Sequence, residues 1–298
     1  MKDRPNDPPN HGILRQQVTL ARYTSWRVGG PARQLYQPTD EADLSRFLAR
    51  LPTDEPLLWL GLGSNLLVRD AGFAGTVIAL HGRLAQFEIT GTQLHVGAGA
   101  ACARVARAAA RAGLAGATFL AGIPGTIGGA LAMNAGAFGG ETWECVQQVR
   151  TIDRQGVCRE QAADAFQVAY RQVNKPADMG FLGATLQFRP GEATQEQARI
   201  RELLQQRSTN QPTGKPSGGS TFRNPPGDFA ARLIEACGLK GYQIGGAQVS
   251  VKHANFILNT GTATAWDIEH LIMYLQTEVR RQQGVLLQPE VHIIGETR

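Results

Sequence analysis

LAGIPGTIGGALAMNAGAFGGE, residues Leu120 to Glu141, carries seven glycines between Gly122 and Gly140, one proline, one asparagine and no charge before Glu141. Glycine is disfavoured in helix and strand interiors because ordering it loses the most backbone entropy. A run this dense needs a reason: backbone packed on backbone, or a ligand lying close to the chain. Gly122, Gly125, Gly128 and Gly129 fall at a G-x-x-G-x-x-G-G spacing. A dinucleotide fingerprint needs G-x-G-x-x-G, and a P-loop ends in G-K-[ST]. Neither is present. What remains is a rigid turn of glycines whose amides can face an anion without a lysine's help. On this stretch alone the two readings stand level.

A second glycine loop, GLGSNLLVRD from Gly61 to Asp70, follows the apolar run LLWL, which reads as a buried strand. Ser64 and Asn65 offer side-chain hydrogen bonds there. Two such loops in one region suggest a long ligand with a pyrophosphate, cradled from both sides.

Composition narrows the class. A chain of 298 residues can bury a sizeable core. With 42% hydrophobic and 18% charged residues it is globular and not disordered. The formal charge is +5, and 25 of the 30 basic residues are arginines spread along the chain. No basic block or aromatic-basic interleaving points to nucleic acid. Arginine's planar fork suits an anionic small molecule, although nucleotide bias in a genome would give the same excess. Four cysteines without a C-x-x-C pair and six histidines without ligand spacing argue against a zinc site or a disulfide scaffold. They suit a reducing compartment. No metal is expected. The opening MKDRPNDPPNHG has no apolar core, so residues 1–16 read as a disordered arm and not a signal peptide. No apolar run approaches membrane-spanning length. A cytoplasmic protein is expected, with no nucleic acid, no membrane insertion and no protein partner implied.

Helices are expected from about Asp40 to Leu51, over CARVARAAARAG closed by Gly113, over EATQEQARIRELLQQR, over DFAARLIEACGLKG, and from about Ala265 to Gly284. Strand pairs should turn at Gly91-Thr92 and Gln155-Gly156. FLGATLQFRP and VLLQPEVHII read as further strands. The polar loop STNQPTGKPSGGSTFRNPPGD marks the junction between two parts. The division expected is 17–192 and 193–298, both mixed in helix and strand, without the regular βαβ alternation of a doubly wound fold.

The second part holds reactive groups. In PSGGSTFRNP, Ser220 follows two glycines and precedes Phe222, Arg223 and Asn224. A Gly-Ser loop is usually a linker, and G-G-S-T is not the G-x-S-x-G elbow. No histidine stands nearby to make Ser220 a nucleophile, so donating a proton is its chemical role if it has one. Alternation in VLLQPEVHII puts Gln288, Glu290 and His292 on one face, and Pro289 implies an edge or a bulge. Arg171 in AFQVAYRQ and Glu290 would each pass as surface residues on local sequence alone.

Ordered motifs supply the reason to single them out. YTSWRVGGPA, GLGSNLLVRD, AGIPGTIGGALAMNAGAFGGE, Tyr170-Arg171, GGSTFRNP, LIEACGLKGYQIGGAQVSVKHANFILN and QPEVHIIG occur in one order. In that order the chain resembles the UDP-N-acetylenolpyruvoylglucosamine reductases over roughly residues 20 to 296. The length resembles the shorter form, without an extra loop over the substrate. The resemblance implies an α+β protein: an FAD-binding domain of the vanillyl-alcohol-oxidase (PCMH) type, then a smaller α+β substrate-binding domain.

It also implies the reaction. In that family NADPH gives a hydride to flavin N5, which passes it to the vinyl carbon of an enolpyruvyl nucleotide sugar on the way to peptidoglycan. The carbon beside the carboxylate is then protonated. Carried over by motif, Ser220 matches the proton donor, while Arg171 and Glu290 match the groups that stabilise the enol. The FAD loops match Gly61, Gly63, Ser64, Asn65 and Leu66, then Gly122, Pro124, Gly125, Gly128 and Gly129, with Asn134 and Gly136. Tyr170, Arg223 and Asn224 match substrate contacts. Two positions depart from the family pattern: Val173 stands where a serine is common, and Arg223 where a lysine is. Neither loop offers a histidine or cysteine for covalent attachment, so the FAD is expected to be non-covalent. The rivals are another FAD-dependent oxidase or dehydrogenase of the same fold, acting on a sugar or 2-hydroxy acid, and a non-catalytic nucleotide-binding protein.

Overall fold

Residues 12–297 are described in the computed structural model of the chain. A four-stranded sheet opens the N-terminal part, in the order Ile13–Thr19, Pro31–Gln37, Phe73–Ala79, Leu57–Leu60. Its first pair is antiparallel and the rest are parallel. Strand Ile13–Thr19 begins inside the stretch expected to be a disordered arm, whose residues 1–11 lie outside the described residues. Most of its side chains are exposed, so hydrophobic patterning could not reveal it. The backbone ladder to Pro31–Gln37 holds it. Helix α1, Glu41–Arg50, starts where the Asp40 side chain accepts the Asp43 amide, and it buries Leu44, Phe47 and Leu48 as its spacing requires.

A five-stranded antiparallel sheet follows, in the order Cys158–Ala162, Val146–Ile152, Gly180–Gln187, Gln93–Gly97, Phe87–Thr90. Both expected hairpins are there. Gly91 at φ 60° and Gly156 at φ 80° make their turns in the left-handed region that glycine enters without a Cβ clash. Helix α2, Cys102–Arg111, buries Cys102, Val105, Ala106, Ala109 and Ala110 in the core beneath this sheet. The same core takes Ile200 from α4, Ala193–Asn210, so this helix packs on the first part although it opens the second in sequence.

The glycine stretch is not one turn. It runs through a 3₁₀ turn at Thr118–Gly122, a seven-residue helix α3 at Ile127–Met133, and a tight pair of Gly136–Ala137 with Gly140–Glu141. Ile127, Ala130 and Leu131 are buried on one face of α3, a short helical period that the glycines obscure in the sequence.

In the C-terminal part, α5 (Ala230–Ala236) and α6 (Ala265–Gln283) enclose a core with the sheet Gln243–Ile244, Ala247–Val249, Ile257–Asn259. A capping box of Thr264 and Asp267 opens α6, and Gly284 at φ 72° ends it. This core also receives Trp26, Val28 and Leu67 from the N-terminal part. The fully buried Trp26 donates its indole N–H to the Ile257 carbonyl at 2.8 Å, and Asn259 returns a 2.8 Å bond to the Trp26 carbonyl. Thus the YTSWRVGGPA motif clasps the two parts together. The last expected strand is much shorter, only His292–Ile294, parallel to Leu66–Val68. Pro289 lacks an N–H, and it sits in an isolated bridge with Phe222. Glu290 therefore lies in irregular backbone, and strand alternation does not set its direction.

Candidate active site

The clasp leaves a cleft of about 270 Å³ between the parts. Ser64, Asn65, Gly122, Pro124 and Gly136 line it from one side; Tyr170, Arg171, Ser220, Asn224 and Glu290 complete it. Residues far apart in sequence thus share one cavity. A smaller cavity of about 80 Å³ is lined by Gly61, Thr126, Gly128, Gly129 and Lys175. A wider groove of about 840 Å³ beside Trp266 contains none of the expected site residues.

Cβ positions separate the two explanations for the glycines. A Cβ on Gly61 would meet Thr126 Oγ1 at 2.5 Å, one on Gly122 would enter the Phe138 ring at 2.4 Å, and one on Gly128 would press on Ala98 Cβ at 2.9 Å. Gly63, at φ 61°, lies under the Tyr23 carbonyl. The protein's own packing accounts for these four. Gly125 and Gly129 differ, since no atom comes closer than 3.6 Å and 3.7 Å to their added Cβ. Within α3, glycine at position 129 costs about 0.5–1 kcal/mol relative to alanine, and no neighbour in the fold requires it. Such a bare surface, which at Gly129 borders the smaller cavity, is what a closely approaching FAD would need. On this test Gly125 and Gly129 of the second loop fit the cofactor, while Gly61 and Gly63 of the first are taken up by packing.

Other loop residues take structural positions. Leu66 is buried in a core with Leu20, Leu35 and Val77. Asn134, at φ 46°, gives its amide N–H groups to Glu141 Oε2 (2.8 Å) and the Ala169 carbonyl (3.2 Å), while its Oδ1 accepts from the Trp143 amide. Asn65 donates to the Glu290 carbonyl at 3.0 Å and thereby ties the first glycine loop to the segment that carries Glu290.

Arg171 sits in the two-residue turn between Gln167–Ala169 and Gln172–Asn174 at φ 56°, a left-handed conformation that costs a non-glycine residue roughly 1–2 kcal/mol. Its guanidinium is fixed on several sides. Nε donates to Glu290 Oε1 at 3.2 Å, Nη1 reaches Glu141 Oε1 at 3.4 Å and the Asn134 carbonyl at 3.3 Å, and Nη2 donates to the Gly136 carbonyl at 3.1 Å. The Tyr170 ring lies 4.7 Å from the guanidinium carbon. Arg223 is not a lining residue; its Nη2 donates to the Arg171 carbonyl at 3.2 Å and braces the strained turn. Asn224 is exposed at the rim, and its Oδ1 accepts the Ala230 amide at the start of α5.

Burial pushes the Glu290 carboxyl above its ordinary pKa, against the opposing pull of Arg171 and then Arg223. Its backbone is stitched to the serine loop: the Glu290 amide donates to the Thr221 carbonyl at 2.8 Å, and the Arg223 amide to Gln288 at 2.9 Å. The Ser220 hydroxyl lines the cleft and makes no hydrogen bond to any described residue. It is free to face a ligand. The loop behind it is clamped by buried Asn255, whose side chain accepts from the Phe222 amide (2.9 Å) and donates to the Phe222 carbonyl (2.8 Å). Asn255 lies in the quoted KHANF segment, but nothing in a single sequence distinguishes such a clamp from a loop asparagine. Glu141 and Arg207 are likewise cleft-side groups without a local sequence signal.

Two family profiles match the chain. The profile of the UDP-N-acetylenolpyruvoylglucosamine reductase C-terminal domain matches residues 211–294, and that of an FAD binding domain matches residues 32–161. The chain is 59% identical over 287 residues to the UDP-N-acetylenolpyruvoylglucosamine reductase of Alkalilimnicola ehrlichii, covering 96% of each. It is 54% identical over 291 residues to that of Methylococcus capsulatus, covering 97% of this chain and 96% of the relative. The crystal structure of the Thermus caldophilus enzyme superposes with a TM-score of 0.82 at 34% identity, covering 94% of this chain and 99% of that one.

Proposed function

The chain belongs to the UDP-N-acetylenolpyruvoylglucosamine reductase family, and from that premise we propose that Arg171, Ser220 and Glu290 carry the reduction in its cleft. The protein is an FAD-dependent oxidoreductase of peptidoglycan precursor synthesis that uses NADPH to reduce UDP-N-acetyl-3-O-(1-carboxyvinyl)-glucosamine to UDP-N-acetylmuramate. FAD, when bound, supplies the hydride relay between NADPH and the enolpyruvyl group. The bare faces of Gly125 and Gly129 support placing it along the second glycine loop. We place the reaction in the cytoplasm. No helix among the described residues is long and apolar enough to cross a membrane.

The protein's own work concerns the charge that follows hydride addition. Addition at the vinyl terminus leaves an electron pair on the carbon beside the carboxylate, delocalised as an enolate. Arg171, held by four oxygen partners, presents a fixed positive charge for that state without reorganising as it forms. Glu290, with its pKa raised by burial, holds Arg171 and can share a proton with the enol form. Ser220 gives its hydroxyl proton to the carbon and completes the lactyl ether; a hydroxyl is a weak acid, but the enolate is a strong base. The observation that carries this reading is the single cavity joining the unbonded Ser220 hydroxyl to the Arg171–Glu290 pair. Steady-state NADPH oxidation tests it. Consumption that depends on the enolpyruvyl nucleotide sugar supports the reductase, whereas consumption driven by oxygen with a sugar or 2-hydroxy acid would favour the oxidase.

A further inference from the structure

The serine loop has little of its own to hold it. Ser217 bridges Leu258 at one end, and Phe222 bridges Pro289 at the other. Between them Gly218 lies against the Trp26 ring, and Gly219 turns at φ 75° with no atom near its added Cβ. The Thr221 hydroxyl is buried without a partner. Past Ser220, however, each backbone group from the Thr221 amide to the Arg223 amide is bonded. The Thr221 amide donates to the Asn255 carbonyl at 2.8 Å, the Phe222 amide to Asn255 Oδ1 at 2.9 Å, and Asn255 Nδ2 to the Phe222 carbonyl at 2.8 Å. The other two, the Thr221 carbonyl and the Arg223 amide, pair with the backbone of Glu290 and Gln288. Three of the five bonds thus come from one residue.

Asn255 is 3% exposed, and its carboxamide does what a neighbouring strand residue would do. It accepts the N–H and donates to the C=O of one residue, the exchange made by a hydrogen-bonded antiparallel pair. A side chain needs an acceptor and a donor on one short stem for this. Asn255 is itself fixed. The Ser250 amide donates to the Phe256 carbonyl at 2.8 Å, Ser250 Oγ accepts the Lys252 amide at 3.1 Å, and Ala254 and Phe256 are buried on either side. On the loop's other edge runs the Glu290 segment, whose carboxylate holds Arg171 at 3.2 Å. One backbone frame therefore carries Ser220 and Glu290, with Asn255 as its far wall. Proton transfer depends on where the donor points, and a misplacement of about 1 Å costs about 10²-fold in rate.

We propose that Asn255 is a positioning residue for the protonation step: its side-chain amide sets the serine loop so that the Ser220 hydroxyl faces the part of the cleft served by the Arg171–Glu290 pair. This rests on the reading of Ser220 as the proton donor. The test follows the two half-reactions by rapid mixing, flavin reduction by NADPH and flavin reoxidation by the nucleotide sugar. It compares wild type, S220A, N255L, N255D and the double variant S220A/N255L.

N255L should leave flavin reduction within about threefold of wild type and slow reoxidation by about 10²-fold. In the S220A background the same change should add no more than about threefold, because the hydroxyl it aims is gone. N255D keeps the shape of the side chain and makes the bonding depend on a proton. An ionised carboxylate repels the Phe222 carbonyl, whereas a protonated one accepts and donates as the amide does. Its reoxidation rate relative to wild type should therefore rise as pH falls from about 8 to about 5.5, where a buried carboxyl takes up its proton. Titration of His253 and Glu290 is common to both proteins and cancels in the ratio. Equal slowing of both half-reactions by N255L overturns the proposal, as does the full 10²-fold loss appearing again on top of S220A, or a ratio for N255D that does not change with pH. If N255L does not fold, N255D and S220A/N255D carry the same comparisons. S220A that reoxidises at the wild-type rate would defeat Ser220 as the donor and this inference with it; a slowed S220A beside an unaffected N255L defeats this inference alone.

Discussion

Gly128 and Gly129 are adjacent in α3, yet alanine at each should act in opposite directions. At Gly129 a Cβ would meet only Thr126 Oγ1, at 3.7 Å, an ordinary van der Waals contact. Gly129→Ala in the apoprotein should therefore recover the helix propensity, about 0.5–1 kcal/mol. For a protein of this size that raises Tm by roughly 1–3 °C. If FAD lies against this face, the added methyl crowds it at a cost of about 1–3 kcal/mol, so affinity should fall roughly five- to hundredfold. At Gly128 the Cβ would come within 2.9 Å of Ala98 Cβ and 3.2 Å of its carbonyl oxygen, which no side-chain rotation can relieve. Gly128→Ala should lower apoprotein stability. Thermal unfolding of the apoproteins and fluorescence titration with FAD read both quantities. A Gly129→Ala protein that binds FAD with wild-type affinity would refute the argument, because the glycine would then serve no close approach.

Ser220→Ala should leave flavin reduction by NADPH near normal and slow turnover with the nucleotide sugar by about 10²–10⁴-fold, the range of a general acid; rapid-mixing absorbance separates the half-reactions, and equal slowing of both would make Ser220 a binding or structural residue. His253 should set part of the acid sensitivity. Burial depresses its pKa below 6.5, and its Nδ1 is buried without a partner, so it stays neutral in the fold while the unfolded chain binds a proton first as pH falls. Its contribution is complete above pH 6.5 and lost as pH drops toward the depressed value. Urea midpoints of wild type and His253→Gln should converge between pH 7 and 5; parallel curves would contradict the assignment.

What could be read from sequence depended on how local each determinant is. The hairpins at Gly91 and Gly156 and the capped helix from Thr264 to Gly284 follow from residues inside the elements themselves. Strand Ile13–Thr19 did not show, because an exposed edge strand has no apolar face and depends on its partner. The final strand was overestimated because Val285 to Val291 looks apolar and extended, whereas its groups bond to the serine loop and not to a sheet. The glycine stretch was read as a turn because glycine density masked the three apolar positions of α3. Ser220, Arg171 and Glu290 are separated by long stretches of chain, so only motif order could assemble them. Arg207 and Asn255 line the cleft, and Glu141 pairs with Arg171 beside it. Their residue types are common on surfaces, and only the fold shows which ones face it.

The most direct measurement is an anaerobic flavin spectrum of the purified protein. One equivalent of NADPH should bleach the oxidised flavin band, and the enolpyruvyl ether of UDP-N-acetylglucosamine alone should restore it. A band that bleaches but does not return with that ether would contradict the assigned reaction while leaving a flavin enzyme. A protein with no flavin band after incubation with FAD would contradict the reading of both glycine loops.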